Sequence, residues 1–156
     1  MFGVVPKVLW ERTNPADANN QIEMATRCLL VEDGNRLILI DTGMGNKQDA
    51  KFFSHYALWG DFNLTNSLKA NGFHPDDITD VFLTHLHFDH CGGAVTRSAS
   101  GLLEPAFKNA TFWSHKKHWD WACHPNAREK ASFLKENIEP LAASGQLRLL
   151  DGAGPI

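Results

Sequence analysis

His85, His87, Asp89 and His90 are four side chains able to ligate a metal, set within six consecutive positions. They stand in the stretch Val81-Phe82-Leu83-Thr84-His85-Leu86-His87-Phe88-Asp89-His90-Cys91-Gly92-Gly93. In extended backbone, residues two apart project on one side, so His85 and His87 can converge on a single ion. Asp89 continues that register and His90 points away from it, so the four are expected to serve two neighbouring points in space. Imidazole nitrogen with carboxylate oxygen suits zinc, and iron or manganese accept the same donors. Such a pair of divalent ions activates water for hydrolysis. A lone histidine is ordinarily a satisfied core or surface residue. Three imidazoles and a carboxylate at the end of an apolar strand are different, because burying them unpaired costs on the order of several kcal/mol. Gly92 and Gly93 lack a Cβ, which lets the backbone turn sharply and approach a bound group closely.

The elements that must position this set can be read around it. Asp80 to Thr84 is the strand that delivers the ligands, after a turn at Pro75 to Thr79. Upstream, Ile22 to Glu32 and Arg36 to Asp41 pair as a hairpin through Asp33-Gly34-Asn35. Leu37 to Ile40 is apolar without alternation, as expected of a strand covered on both faces. Val4 to Trp10 reads as an edge or irregular strand broken by Pro6, and Thr13 to Gln21 as a loop. Asn46 is expected to cap a helix running to about Leu58, and Asn63 a second one with Leu64 and Leu68 inward and Gly72 at its end. Downstream, Thr96 to Pro105 reads as a loop and Ala110 to Ser114 as a strand. Pro125-Asn126 opens a predicted helix with Ala127, Ala131, Leu134 and Ile138 on one stripe and Glu129, Lys130 and Lys135 facing water. Leu147 to Leu150 is a last strand. Strands interleaved with helices predict an α/β layered domain.

The chain has 156 residues, which fits one domain, 1–156. Hydrophobic content of 43% and charged content of 21% exclude a disordered chain. A net charge of −3 gives little attraction to nucleic acid or to an anionic membrane. No apolar run approaches a membrane span, and the N-terminus has no secretory pattern. Cys28, Cys91 and Cys123 are an odd number without paired spacing. They predict reduced thiols and a cytoplasmic setting.

Thr-His-x-His-x-Asp-His at a strand end, with Leu39-Ile40-Asp41-Thr42-Gly43 upstream, resembles the metallo-β-lactamase-fold hydrolases. Gly3-Val4-Val5-Pro6-Lys7 and the region from Trp113 to Pro140 resemble its lactonase and esterase branch. The resemblance implies an αββα sandwich in which two mixed sheets pack between outer helices, this chain covering roughly the N-terminal half. It implies two divalent ions, His85 and His87 holding the first and Asp89 and His90 the second, with Asp89 also orienting the hydroxide or moving a proton to the leaving group. Asp41 would support the ligands from behind and Thr84 would assist. Members supply further ligands later in the chain, so the expectation is a domain clipped at its C-terminus and also at its start. The implied substrate is a lactone or another carboxylic ester, with thioesters, β-lactams and phosphate esters open.

Other candidates have blander readings. His115 and His118 lie three apart on a predicted helix, a spacing that serves a metal or an exposed aromatic face beside Trp119 and Trp121. The resemblance places them, with His124, away from the ligands, and we read them as structural. His55 and His74 read as surface residues. Cys91 reads as packing, although a thiolate beside zinc is a ligand. Trp10, Trp59, Trp113, Trp119 and Trp121 read as core or pocket wall. Rival functions are a non-catalytic piece that pairs with a partner half or a second copy of itself, a thioesterase, and an iron-dependent redox relative. The flavin-linked di-iron relatives carry glutamate where His87 stands.

Overall fold

In the computed structural model, residues 2–153 are described; the remainder of the predicted 1–156 domain lies outside them. Seven strands and six α-helical segments follow one another among these residues: α1 (Lys7–Trp10), β1 (Leu29–Asp33), β2 (Arg36–Ile40), α2 (Ala50–Ser54), α3 (Leu64–Ala70), β3 (Asp80–Phe82), α4 (Phe88–Cys91), β4 (Val95–Arg97), β5 (Leu103–Pro105), β6 (Thr111–His115), α5 (Lys116–Cys123), α6 (Lys135–Ala143) and β7 (Leu147–Leu150). Five strands form one mixed sheet in the order β1-β2-β3-β6-β7. β1 and β2 are antiparallel, and β2, β3, β6 and β7 run parallel. The hairpin turns on two residues, with Gly34 at φ +59, a conformation only glycine adopts freely.

The core lies on the helix-covered face of this sheet. Leu37, Leu39, Val81 and Phe112 pack there with Leu68, Ile78, Leu83, Leu86, Ile138 and Leu141. Burial alternates along β2, with Leu37 and Leu39 buried and Ile38 and Ile40 only half-buried. That corrects the expectation of a strand covered on both sides. Unbroken apolar sequence made both faces look alike, but the second face is only partly covered.

Several predicted elements differ. Residues 7–10 form a helical turn and not a strand: Pro6 precedes it with φ −58, and Trp10 stacks on Phe2 at 4.7 Å. β1 begins at Leu29, so 22–28 is irregular. α2 is capped by Asp49, whose Oδ1 accepts from the Phe52 N–H at 2.7 Å, and not by Asn46. Its five residues end at Ser54, and Ala57 sits at φ +45. The predicted 96–105 loop is a small antiparallel hairpin, β4 with β5. The helix expected from Asn126 begins only at Lys135. The Asn63 cap, the turn at Pro75, and the strands β6 and β7 form where the pattern placed them.

Asp80 ties three strands beneath the site. Its carboxylate accepts from Arg36 Nε at 3.1 Å, Trp113 Nε1 at 2.7 Å and Thr79 Oγ1 at 2.8 Å, and Arg36 Nη2 stands 3.1 Å away. Burial pushes the Asp80 carboxyl up, but the bonds from Arg36, Trp113 and Thr79 outweigh it and hold it below the ordinary carboxylate range. The ionised form therefore stabilises the fold above the unfolded carboxylate value of about 3.9, and that contribution is lost as pH falls through the folded value. Asp80→Asn should cost about 2 kcal/mol at neutral pH and flatten the fall in melting temperature between about pH 5 and pH 2. Parallel curves for the two proteins would show that Asp80 is not the group responsible.

Candidate metal centre

The parallel strands end on one side, where the segment beyond β3 carries the candidate ligands and the loop beyond β2 carries Asp41. After Phe82 the ladder gains one more bond, Leu83 N–H to Trp113 O at 3.0 Å, and the strand then stops. His87 keeps extended backbone and caps the turn of helix α4, where the His90 and Cys91 N–H groups both donate to its carbonyl at 3.0 Å. The backbone period thus changes at Phe88. Asp89 does not continue the extended register, and His90 does not point away. It turns back so that its ring lies 3.8 Å from that of His85, which is 4.7 Å from His87. Asp89 Oδ2 comes within 3.7 Å of His90 Nε2. All four predicted ligands are gathered, by a helical turn and not by alternation.

The loop after β2 is fastened to this turn through the backbone. Thr42 N–H and Oγ1–H both donate to His90 O, at 2.7 and 2.9 Å, and Gly93 N–H donates to Gly43 O at 3.0 Å. Buried Lys47 donates through Nζ to Gly92 O, and burial pushes its ammonium down to about 8. A Cβ on Gly92 would sit 2.1 Å from Met44 O, and one on Gly93 2.2 Å from Thr42 O. Glycine is required here because two backbones touch.

This clasp sets Asp41, at φ +57, against two of the imidazoles. Its carboxylate accepts from Thr84 N–H at 2.9 Å, and from Thr84 Oγ1 at 2.9 and 2.8 Å. With its one proton given to Asp41, the Thr84 hydroxyl can only accept from His85 Nδ1, 3.2 Å away. Asp41 Oδ2 also stands 2.8 Å from His90 Nδ1, which donates to it. His85 and His90 are thereby left with Nε2 as the free lone pair. For His85, burial and then the neighbouring His90 and His87 favour the neutral ring, against smaller opposing effects of Asp41 and Asp89.

The remaining candidates separate cleanly. Cys91 is buried, its Sγ donates to Leu86 O at 3.3 Å, and burial pushes its thiol up to about 12, so it packs as a protonated thiol. His115 caps helix α5, and the ring of exposed His124 lies 3.1 Å from Asp120 O. His55 and His74 are exposed at helix ends. His118 does not lie away from the ligands: its Nε2 accepts the Leu86 N–H at 2.9 Å, and its ring is 6.2 Å from that of His85. Trp59 and Trp121 are exposed, not core. Sequence reasoning missed Lys47, Phe133, whose ring packs 4.8 Å from His87, and Glu129, whose Oε1 stands 4.0 Å from His87 Nε2. The Asn126-x-x-Glu129 spacing, typical of reciprocal side-chain bonding, was the signal available for Glu129.

The donors suit divalent cations: imidazoles presented through a chosen nitrogen, beside a carboxylate. Among the described residues, no three His, Cys, Asp or Glu side chains close around one point. Nor, among them, is any helix long and apolar enough to cross a membrane.

Residues 23–136 match the profile of the Metallo-beta-lactamase superfamily. An N-acyl homoserine lactonase of Bacillus thuringiensis is 28% identical over 123 residues, covering 72% of this chain and 43% of the relative. One of Bacillus cereus is 30% identical over 131 residues, covering 78% and 46%. The chain spans less than half the length of these curated relatives. Among solved structures, a probable metal-dependent hydrolase from Staphylococcus aureus superposes with a TM-score of 0.85 at 30% identity, over 100% of this chain and 55% of that one. AidC, a dizinc quorum-quenching lactonase in complex with a product, gives 0.59 at 28% identity, over 83% and 44%.

Proposed function

Because the chain belongs to the metallo-beta-lactamase superfamily, we propose that it carries the water-activating part of a hydrolase for lactones or other carboxylic esters. The observation that carries this reading is Asp41, one carboxylate that orients His90 directly and His85 through Thr84. Residues 1–156 belong in this reading to one hydrolase domain. His85 and His87 would hold one divalent ion and Asp89 and His90 another, zinc by donor chemistry, supplying a water acidified from about 15.7 towards neutrality and a Lewis acid for the carbonyl oxygen. Asp89, whose Oδ2 lies 3.7 Å from His90 Nε2, would take the proton of the attacking water and pass it to the leaving oxygen. Phe133 covers the His87 ring and keeps bulk water from that side. The lactonases among the relatives favour a lactone over a thioester or phosphate ester.

The test joins metal analysis to a substrate panel of lactones, aryl esters and thioesters. Expected are zinc in the purified protein and lactone hydrolysis that chelation abolishes and zinc restores. Hydrolysis at the same rate in excess chelator would overturn the reading. A second reading, a piece that needs further ligands before it turns over substrate, is favoured by the absence among the described residues of three converging donors. Near-zero zinc uptake by this chain alone, with full uptake by a longer protein containing it, would select that second reading.

A further inference from the structure

Leu86 separates His85 from His87, and both peptide groups that flank it are held by side chains. Its N–H donates to His118 Nε2 at 2.9 Å, and its carbonyl accepts from Cys91 Sγ at 3.3 Å. Leu86 is fully buried, so its N–H has no water to bond with in place of His118. We propose that His118 is a positioning residue: by taking the Leu86 N–H on Nε2, it fixes how His85 and His87 stand relative to each other. The inference rests on the reading given above of those two histidines as metal-binding residues.

A peptide group is planar, so the Leu86 N–H turns together with the backbone of His85, and the Leu86 carbonyl with that of His87. Pinning the N–H therefore fixes the side from which His85 projects, and the bond from Cys91 does the same for His87. His118 reaches this peptide from 32 positions away. β6 lies beside β3 in parallel and helix α5 follows it directly, which brings His118 next to the segment beyond β3. The His115 ring caps that helix, its Nδ1 accepting the Lys117 N–H at 3.2 Å. Phe133 confines the imidazole: its ring lies 5.8 Å from that of His118 and 4.8 Å from that of His87. An imidazolium has no lone pair, so only the neutral ring with its proton on Nδ1 can accept this bond. Burial first, and then His87, favour that neutral ring, against the opposing effect of Glu129. An exposed aromatic face would leave the ring to solvent. His118 is instead half-buried, its lone pair committed to one buried amide.

The test uses the full-length protein and compares two variants. His118→Leu removes the acceptor, whereas His118→Gln keeps one, its side-chain oxygen lying as many bonds from Cα as Nε2 does. His124→Leu is the control, exposed at the end of the same helix. In metal-free protein, nitrogen-15 NMR should show His118 protonated at Nδ1 and not at Nε2. The His85 and His87 imidazole signals should move in His118→Leu and keep their wild-type positions in His118→Gln and in the control. At saturating zinc, kcat on a lactone should fall about 10–100-fold for His118→Leu, the range for losing a group that orients metal-binding side chains. It should recover most of the way in His118→Gln and stay unchanged in the control. A proton on His118 Nε2, or unmoved His85 and His87 signals in His118→Leu, would overturn the proposal. So would a His118→Gln protein that melts as wild type yet turns over as slowly as His118→Leu. Should His118→Leu not fold, the wild-type tautomer and the His118→Gln protein still decide. If the wild type takes up no zinc while the NMR results come out as expected, the positioning of Leu86 stands and the metal-binding reading fails instead.

Discussion

Replacing His87 with alanine should lower metal-dependent ester hydrolysis by about a thousandfold or more, while the thermal melt moves little. His87 stands in a loop, its side chain half-buried, its ring beside Phe133 and His85 and with Glu129 Oε1 4.0 Å from Nε2. Its backbone carbonyl still accepts the His90 and Cys91 N–H groups after the change, so the α4 turn survives. The loss is chemical: water activation and carbonyl polarisation supply several kcal/mol of barrier lowering, and about 4 kcal/mol is a thousandfold. Initial rates on a lactone at saturating zinc, beside a melting curve, would decide it. Activity within tenfold of wild type would remove His87 from the ligand set.

Gly93→Ala should do the opposite, damaging the fold first. The new methyl would lie 2.2 Å from Thr42 O, a backbone atom held by the Thr42 bonds to His90 O and unable to rotate aside. Relief requires the 42–45 and 91–93 backbones to separate. Overpacking against side chains costs about 1–3 kcal/mol, and against fixed backbone we expect at least about 3. At about 2–4 °C per kcal/mol for a chain of this size, the melting temperature should drop by roughly 6–12 °C. Hydrolysis should fall with it, because the same separation draws His90 away from Asp41. A variant that melts as wild type would show the contact to be looser than described.

The cluster of candidate side chains stood out in the sequence because imidazoles and a carboxylate at a strand end have few other uses. Asp41 was legible too, at the end of an apolar strand before Thr42-Gly43. The direction of His90 was not. Alternation holds to His87, and nothing local announces that Phe88 starts a helical turn, since that turn is selected by the backbone contact between Gly43 and Cys91. Glu129 was misplaced for a related reason. Ala127, Ala131, Leu134 and Ile138 fit a helical stripe, but Asn126 binds its own following amides and holds 126–129 as a turn. Lys47 was invisible because its acceptor, Gly92 O, lies 45 positions away. Local pattern reports propensity, and these three positions are decided by contacts made across the chain.

The bonds between the 41–43 and 90–93 segments fasten the loop after β2 to the turn that carries His90. In small zinc-nucleated domains, ion capture supplies the folding free energy, and removing the ion unravels the chain. Here the two segments are joined by the backbone and side-chain bonds of Thr42, His90, Gly43 and Gly93, so the placing of the His90 turn is expected to depend on the sheet and its loops. On the metal-binding reading proposed above, a chelator would then lower activity more than it lowers the melting temperature.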